Sequence, residues 1–273
     1  MKNVTSLEGP VENVDGKLVL RIPLAAGGSQ LIESSRGIGE VDGECLKVTI
    51  PDSLAEKLGI RAGGRVRANN FDGKFNIQPV DHKAELAHLL RAKSIKRGDF
   101  TLASGKKSHY YLDCRLTTLD PEGARLTGYC VLELLDQMGV KPDAIGGLSM
   151  GADPVVSAAI VVSAIEKHPV PGFLVRKEAK GHGRKKQIEG MEEPRGKRVA
   201  IVDDVCTTGG STLEAIEAAE REGCEVVAVI SLVDREEGGS ESLRAKYNYR
   251  SLFTARELLA DGAQPAGDAH TAS

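Results

Sequence analysis

The sequence predicts an α/β protein with a central parallel sheet flanked by helices, preceded by a small β-rich domain. From Asp81 onward, short apolar runs typical of buried strands alternate with segments of helical periodicity. Before Asp81, apolar runs follow one another with turn signals between them. We therefore expect a β-rich domain at residues 1–80, an α/β domain at 81–260 and a disordered polar tail at 261–273.

The first domain is expected to hold strands at KLVLRIPL and CLKVTI, one short helix and a hairpin. Pro51 and Asp52 are good helix-starting residues, and Gly59 is a good stop. The pair Asp72-Gly73, between RVRANN and KFNIQ, is the signal for a tight β-turn. These features predict a small antiparallel module.

The second domain begins with helical spacing in HKAELAHLLRAKSI and then alternates. Strands are expected at 144–149, 172–176, 198–204 and 225–234, and helices at 152–167 and 211–223. In a parallel sheet, ligands bind beyond the carboxyl ends of the strands. The residues that follow each strand are therefore the candidates for function.

Composition and charge exclude several classes of protein. The chain has 273 residues and a formal net charge of −3, so nothing general favours a nucleic-acid or membrane partner. No stretch approaches the roughly 20 apolar residues of a membrane span, and the N-terminus lacks the apolar core of a signal peptide. The five cysteines are scattered without a CxxC pair, which argues against disulfides or a zinc site and for the reducing cytoplasm.

The stretch VAIVDDVCTTGGST, residues 199–212, joins a buried strand to two aspartates and a turn. Backbone N–H groups, hydroxyls and a helix N-terminus in Cys206–Ser211 would suit a phosphate, while Asp203 and Asp204 would accept hydrogen bonds from sugar hydroxyls. Together they describe a site for a ribose 5-phosphate. The alternative is a helix-capping aspartate pair with a glycine turn. A Walker loop is excluded, because no GK[ST] follows the glycines.

The stretch VRKEAKGHGRKKQIEG, residues 175–190, is strongly basic. Residues 176–186 hold six cations, one histidine and two glycines directly after a strand. A solvated surface run is the alternative interpretation. The run stands where a short loop is expected and mixes glycine with charge, which favours a lid that closes on an anion.

The first stretch resembles the ribose-phosphate signature of type I phosphoribosyltransferases, and the resemblance implies that family's fold. It also implies that Asp203 and Asp204 hold the ribose of phosphoribosyl pyrophosphate and that the following loop holds its 5-phosphate. The implied ligand set is Asp203, Asp204, Val205, Cys206, Thr207, Thr208, Gly209, Gly210 and Ser211. Enzymes of the family that use 6-oxopurines carry aspartate at the position of Thr207, so Thr207 favours the orotate branch and a contact with orotate.

The basic stretch resembles the mobile catalytic loop of orotate phosphoribosyltransferases, with its R-K-x-x-K-x-H-G pattern. Arg176, Lys177, Lys180 and His182 match that pattern and are implied to bind phosphoribosyl pyrophosphate. Lys180 takes the place of the family's catalytic lysine, so the implied catalytic residues are Lys180, Asp203 and Asp204. Whether the cations at 184–186 touch ligand is open.

Two further stretches resemble parts of the same family. FTLASGKKSHYYLDCR resembles its N-terminal substrate segment, which places Lys107, Tyr110 and Tyr111 near the base and phosphate. Ala103 stands where several relatives carry a ligand-binding lysine. GGLSMGADP, residues 146–154, fits the family's pyrophosphate loop, whose contacts are expected to be mostly main chain.

Arg235, in SLVDREEGG, matches the arginine that the family uses against orotate. The planar fork of arginine suits a carboxylate or an imide edge. A surface ion pair with Glu236 or Glu237 is the alternative. The ending YRSLFTARELL also resembles the orotate branch, so the resemblance covers roughly residues 81–260.

The segment 47–80 weakly resembles the swapped-hairpin modules of bacterial regulators and antitoxins, which dimerise and often bind DNA. Residues 1–80 contain five lysines and five arginines against ten acidic residues. This balance leaves no excess of positive charge of the kind that DNA binding needs. We therefore expect an accessory or dimerising module rather than a DNA reader.

The sequence as a whole predicts an orotate phosphoribosyltransferase, which makes orotidine 5′-phosphate and pyrophosphate for pyrimidine biosynthesis. The resemblance implies Mg²⁺, held mainly through the substrate rather than by protein ligands, and a homodimer that shares its lid across the interface. Neither a membrane nor a nucleic acid is expected as partner. Two alternatives stay open: a transcriptional regulator that keeps this fold to sense phosphoribosyl pyrophosphate or a base, and a phosphoribosyltransferase for another base.

Overall fold

The computed structural model describes residues 6–24, 31–32, 35, 39–71, 74–101, 107–177 and 187–260. The chain divides into two compact units, Met1–Asp81 and His82–Ser273. The expected tail at 261–273 lies outside the described residues. Among the helices that the structure describes, none has the length and apolar character needed to cross a membrane.

The first unit contains a six-stranded antiparallel sheet and a helix at Asp52–Leu58. The strands are β1 (Ser6–Val14), β2 (Lys17–Pro23), β3 (Gly39–Asp42), β4 (Cys45–Ile50), β5 (Arg65–Phe71) and β6 (Lys74–Pro79), in the order β3-β4-β2-β1-β5-β6. Helix α1 (Asp52–Leu58) follows Pro51 and ends at Gly59 in the left-handed conformation, as predicted. Phe71 pairs with Lys74, which confirms the predicted hairpin, although its turn at 72–73 lies outside the described residues.

The main sheet of the second unit has parallel strands throughout, except at one edge. Its strands are β9 (Ala144–Leu148), β10 (Gly172–Val175), β11 (Ile188–Glu189), β12 (Arg198–Cys206), β13 (Glu225–Asp234) and β14 (Tyr249–Thr254), in the order β11-β10-β9-β12-β13-β14. The edge strand β11 runs antiparallel to β10. A separate hairpin, which the sequence did not predict, is formed by β7 (Ile95–Thr101) and β8 (Lys107–Leu112).

Helices cover both faces of this sheet, which confirms the predicted fold class. They are α2 (His82–Leu89), continued by a π-helical turn at Leu90–Ser94, then α3 (Arg115–Thr118), α4 (Pro121–Gln137), α5 (Ala152–Ile165), α6 (Gly210–Arg221), α7 (Gly239–Arg244) and α8 (Ala255–Leu259). Successive residues of β12 point into different cores: Ala200 and Val202 pack with residues of α4 and α5, whereas Val199 and Ile201 pack with residues of α6. Helix α4 was not predicted from the sequence; its start is capped by the Asp120 side chain.

Strand β12 is longer than the sequence predicted and ends at Cys206 rather than at residue 204. Its final residues stay in register with β13, where Cys206 pairs with Asp234. On its other side, β12 pairs with β9 only from Val199 to Ile201. The end of β12 therefore has a strand on one side and, on the other, the loop that follows β9.

Candidate active site

The two adjacent aspartates lie on the last part of β12 and are both largely shielded from solvent. Asp203 is 4% exposed and Asp204 is half-buried. The Thr212 hydroxyl donates to Asp203 Oδ2 at 2.9 Å, and the Asp204 backbone N–H donates to Asp203 Oδ1 at 3.0 Å. The Val205 N–H donates to Asp204 Oδ1 at 2.8 Å. These bonds fix both carboxylates while leaving acceptor capacity for a ligand.

Thr212 was not singled out from the sequence. It is the third residue of α6 and is buried, so its side chain points back along the helix towards the strand end. The sequence pattern that could have identified Thr212 is a hydroxyl residue near the start of the helix that follows the acidic pair.

The electrostatics of the pair reflect its burial. Burial raises the pKa of Asp203 to about 7, with a further upward contribution from the negative charge of Asp204. Burial also raises the pKa of Asp204, and the hydrogen bond from Val205 N–H opposes it. Two carboxylates at one strand end therefore repel each other until a ligand supplies donors or positive charge.

The turn after the aspartates leads directly into a helix. Thr207–Gly209 form the turn, and α6 begins with Gly210 and Ser211. The first hydrogen bond of that helix runs from Leu213 N to Gly209 O. The N–H groups before it have no partner within the helix, and such groups, together with the helix dipole, suit an anion.

Cys206, at the start of this turn, is 1% exposed, and burial raises the pKa of its thiol. A buried thiol with a raised pKa is inert. Its place in the sequence-predicted ligand set therefore rests on its backbone rather than on its sulfur.

The loop after β9 lies against the aspartate pair. A Cβ atom built on Gly151 would come within 2.6 Å of Asp204 Oδ1 and 3.2 Å of Asp203 Oδ1, so a larger residue would displace the Asp204 carboxylate. Ser149 Oγ donates to Asp153 Oδ1 at 2.9 Å, which ties the loop to the first turn of α5. The loop predicted to hold pyrophosphate and the pair predicted to hold ribose are thus neighbours.

Arg235 follows β13 directly and is held between an aromatic ring and a carboxylate. Its guanidinium carbon lies 5.0 Å from the centre of the Tyr110 ring, and its Nε lies 3.0 Å from Glu237 Oε1. The side chain is 10% exposed. The ion pair with Glu237 that formed the alternative interpretation is present, but it is not a surface pair. The other two residues of the substrate segment, Lys107 and Tyr111, are exposed on β8.

The basic stretch is joined to the sheet by a short hairpin. Strands β10 and β11 pair on either side of it, and the Arg176 N–H donates to Gln187 O at 2.9 Å. The Arg176 guanidinium lies 3.6 Å from Glu189 Oε1, across the hairpin, rather than against the aspartates. Lys177 is the last described residue before the gap, so Lys180 and His182 lie outside the described residues, as does Ala103.

Arg115 is a second charged residue near the pair that sequence reasoning missed. Its Nε and Nη2 donate to the two carboxylate oxygens of Asp113 at 2.9 and 3.1 Å. Its positive charge also acts on Asp204, where it lowers the pKa against the larger effect of burial. The sequence pattern that could have identified Arg115 is the LDCR ending of the substrate segment.

The donors near this site do not form a protein-only metal cage. Within the described ranges, no group of three or more His, Cys, Asp or Glu side chains is arranged to hold a metal ion. Asp203 and Asp204 supply hard oxygen donors, which suit a Mg²⁺ that brings most of its ligands with it.

Comparison with known proteins gives a consistent result. Residues 121–256 match the phosphoribosyl transferase domain family. The chain is 46% identical over 181 residues to orotate phosphoribosyltransferase of Aquifex aeolicus, covering 65% of this chain and 97% of that protein. It is 44% identical over 180 residues to the enzyme of Rhodopirellula baltica, covering 64% of this chain and 93% of that protein.

Solved structures agree. Orotate phosphoribosyltransferase of Mycobacterium tuberculosis in complex with Fe(III) dicitrate has a TM-score of 0.57 and 39% identity, over 65% of this chain and 99% of that one. The complex of that enzyme with phosphoribosyl pyrophosphate has a TM-score of 0.55 and 37% identity, over the same shares. Because the chain covers 97% and 93% of two orotate phosphoribosyltransferases at 46% and 44% identity, it belongs to the orotate phosphoribosyltransferase family.

Proposed function

We propose that this protein transfers ribose 5-phosphate from phosphoribosyl pyrophosphate to orotate, giving orotidine 5′-phosphate and pyrophosphate. The observation that carries the proposal is the buried pair Asp203–Asp204 at the entrance to an anion-binding turn. Arg235, which is suited to a planar anionic base, follows the adjacent strand β13.

The aspartate pair binds the ribose, and the turn after it binds the 5-phosphate. Asp203 and Asp204 accept hydrogen bonds from the ribose hydroxyls, whose O–H groups relieve the repulsion between the carboxylates. The N–H groups and hydroxyls from Thr207 to Ser211 hold the 5-phosphate at the start of α6. Held at both ends, the ribose presents its anomeric carbon for in-line attack by the base nitrogen.

The leaving pyrophosphate is the second charge that the site must stabilise. As the anomeric carbon becomes cation-like, negative charge builds on the pyrophosphate oxygens. This role falls to Lys180, with Arg176, Lys177 and His182 of the basic loop, and to the main chain of the loop after β9. By covering the site, the basic loop would also exclude water that could hydrolyse the activated ribose.

Mg²⁺ is part of the proposal, held mainly by the substrate's own oxygens. Asp203 and Asp204 are the described side chains that would complete its shell, directly or through water. The ion supplies charge neutralisation on the pyrophosphate group.

The residues that recognise the base are Arg235 and Thr207. The Arg235 guanidinium lies over the Tyr110 ring, and its planar fork can meet the planar edge of orotate. Thr207 places a neutral hydroxyl, rather than the aspartate of 6-oxopurine enzymes, beside the base. An acidic residue there would repel the carboxylate of orotate.

We further propose a cytoplasmic homodimer in which residues 81–260 catalyse and residues 1–80 are an accessory domain. The cysteines are all free, which fits a reducing compartment. Apolar side chains exposed on α5, Val161 and Ile165, are candidates for burial between subunits.

The direct test mixes the purified protein with orotate, phosphoribosyl pyrophosphate and Mg²⁺ and follows the ultraviolet absorbance of orotate. We expect a loss of absorbance that requires both the phosphoribosyl donor and the metal. Absence of any loss, with the donor still binding by calorimetry, would contradict the proposal and favour another base. A gel-shift experiment at low salt tests the regulator alternative, for which we expect no shift.

A further inference from the structure

Asp234 is a buried charge that the proposed mechanism does not use. It is the last residue of β13, beside Cys206 at the end of β12, and its side chain is 1% exposed. Its Oδ1 accepts the Glu236 N–H at 2.8 Å, and its Oδ2 accepts from Arg244 Nη2 at 3.1 Å. Even a paired buried carboxylate contributes little net stability, so the place of Asp234 next to the site suggests a role beyond stability.

Arg244 lies at the far end of the short helix α7 and ties that helix back to the strand. Besides Asp234, its Nη1 donates to Ser240 Oγ at 3.3 Å, and its guanidinium carbon lies 5.3 Å from the centre of the Tyr249 ring. The Tyr249 hydroxyl is hydrogen-bonded to Ser231 Oγ at 2.5 Å. The pair therefore closes the segment 235–243 into a loop fixed at both ends.

This segment contacts both proposed substrate subsites through its main chain. Arg235 N–H donates to Cys206 O at 2.9 Å, and Gly239 N–H donates to Thr207 O at 3.1 Å. A Cβ atom on Gly239 would come within 2.5 Å of Gly209 N, so the start of α7 lies directly against the phosphate turn. A shift of α7 would move the phosphate turn and the Arg235 side chain together.

We propose that Asp234 and Arg244 are positioning residues that set the geometry of both subsites through the segment 235–239. The inference rests on the proposed function, in which Arg235 meets orotate and the turn after β12 meets the 5-phosphate. The ion pair touches neither substrate. It fixes the main chain next to Arg235 and holds the start of α7 against the turn that follows β12.

The main test is Arg244→Gln in the full-length protein. Because the side chain is 48% exposed, the substitution leaves no buried cavity. We expect KM to rise about tenfold for both orotate and phosphoribosyl pyrophosphate, with kcat changing by less than about threefold. Arg244→Lys restores the charge without the fork and is expected to give intermediate KM values. Asp234→Asn keeps an acceptor for the Glu236 N–H and should repeat the pattern of Arg244→Gln.

The matched control is Arg256→Gln. Arg256 pairs with Glu236, on the same turn, at 2.7 Å, but it is 82% exposed. We expect both KM values to stay within about twofold of the wild type, as is typical of an exposed pair.

Three outcomes separate the possibilities. If Arg244→Gln lowers the melting temperature but leaves both KM values unchanged well below it, the pair is merely structural and the inference is wrong. If Arg235→Ala raises the KM for orotate while Arg244→Gln behaves as wild type, the proposed subsite stands and the inference fails. If Arg235→Ala leaves the KM for orotate unchanged, the assignment of the base subsite itself fails.

Discussion

The two compact units of this chain differ in what they bury. In the first unit the core is apolar, and Ser35 is the only buried polar side chain among its described residues. Its charges lie outside that core in ion pairs such as Arg21–Glu12 and Arg67–Glu8, both at 2.6 Å. The second unit buries two carboxylates, Asp203 and Asp234, at neighbouring strand ends.

Burying a carboxylate is unfavourable for stability, whereas an apolar core is favourable. A sheet that keeps its charges outside is explained by stability alone. Stability alone does not explain a sheet that buries carboxylates at its strand ends. Such carboxylates indicate where a ligand binds. The difference therefore favours the second unit as the location of the chemistry, independently of the comparison with relatives.

The largest expected effect tests whether catalysis belongs to the second unit. We expect Lys180→Ala to lower kcat by roughly 10²–10³-fold, because the charge that meets the leaving pyrophosphate is lost. Circular dichroism and melting temperature should stay as in the wild type. Lys197→Ala, which removes an exposed lysine before β12, is the control and should leave turnover unchanged. Near-normal turnover in Lys180→Ala would contradict the assigned role.

The next effect separates function from stability at one residue. We expect Asp203→Asn to lower kcat/KM for phosphoribosyl pyrophosphate by about 10–100-fold, since an amide accepts the ribose hydroxyls less well than a carboxylate. At pH 8 the free energy of unfolding of the same variant should be roughly 1–3 kcal/mol higher than that of the wild type. Asp136→Asn, on the exposed side of α4, should do neither.

The sign of that stability change follows from the raised pKa of Asp203. The folded state holds the proton more tightly than the unfolded state, so this group stabilises the fold only while it is protonated. That contribution is lost as pH rises through about 7. The advantage of Asp203→Asn in urea unfolding should therefore be larger at pH 8 than at pH 5, and an advantage equal at both pH values would contradict the assignment.

A smaller effect is expected in the pH dependence of substrate binding. The carboxylate must be ionised to accept the ribose hydroxyls, so KM for phosphoribosyl pyrophosphate should rise as pH falls below about 7. Thr212→Val removes a hydrogen bond that lowers the pKa of Asp203 and should move this rise to higher pH. Steady-state kinetics between pH 6 and 9 measure both, and superimposable profiles would argue against the pair as the titrating group.

The smallest expected effect on activity concerns the first unit. Leu20 is fully buried there, and Leu20→Ala should lower the stability of that unit by about 2–5 kcal/mol. We expect turnover at 20 °C to remain within about twofold, because relatives matched over 97% of their length correspond to only 65% of this chain. Val19→Ala, a partly exposed neighbour, is the control. Loss of turnover with Leu20→Ala alone would show that the two units are not independent in function.

Much of the parallel sheet could be predicted from the sequence, because its strands are continuous apolar runs that end in unusual polar residues. Asp203, Thr207 and Arg235 follow that rule, since the carboxyl ends of parallel strands meet at one edge. Helix α4 was missed although Asp120-Pro121 is a good helix start. The β7–β8 hairpin was also missed, because it consists of mostly exposed residues without an apolar run.

The positioning contacts could not be predicted from the sequence. Arg244 and Asp234 are ten residues apart on different elements, and nothing in their spacing shows that α7 folds back onto β13. The same holds for Tyr110 against Arg235, which are joined only by tertiary packing. A sequence identifies residue types at strand ends, whereas the partners that orient them come from the folded chain.

The unequal lengths of β9 and β12 have a consequence for how such a site can change. Because β12 extends beyond its pairing with β9, the aspartate pair lies at a notch in the edge of the sheet rather than inside the core. Altering the loops that border a notch leaves the packed layers beneath it intact. The rim can therefore be rebuilt for a new base without refolding the scaffold, which makes the architecture readily evolvable.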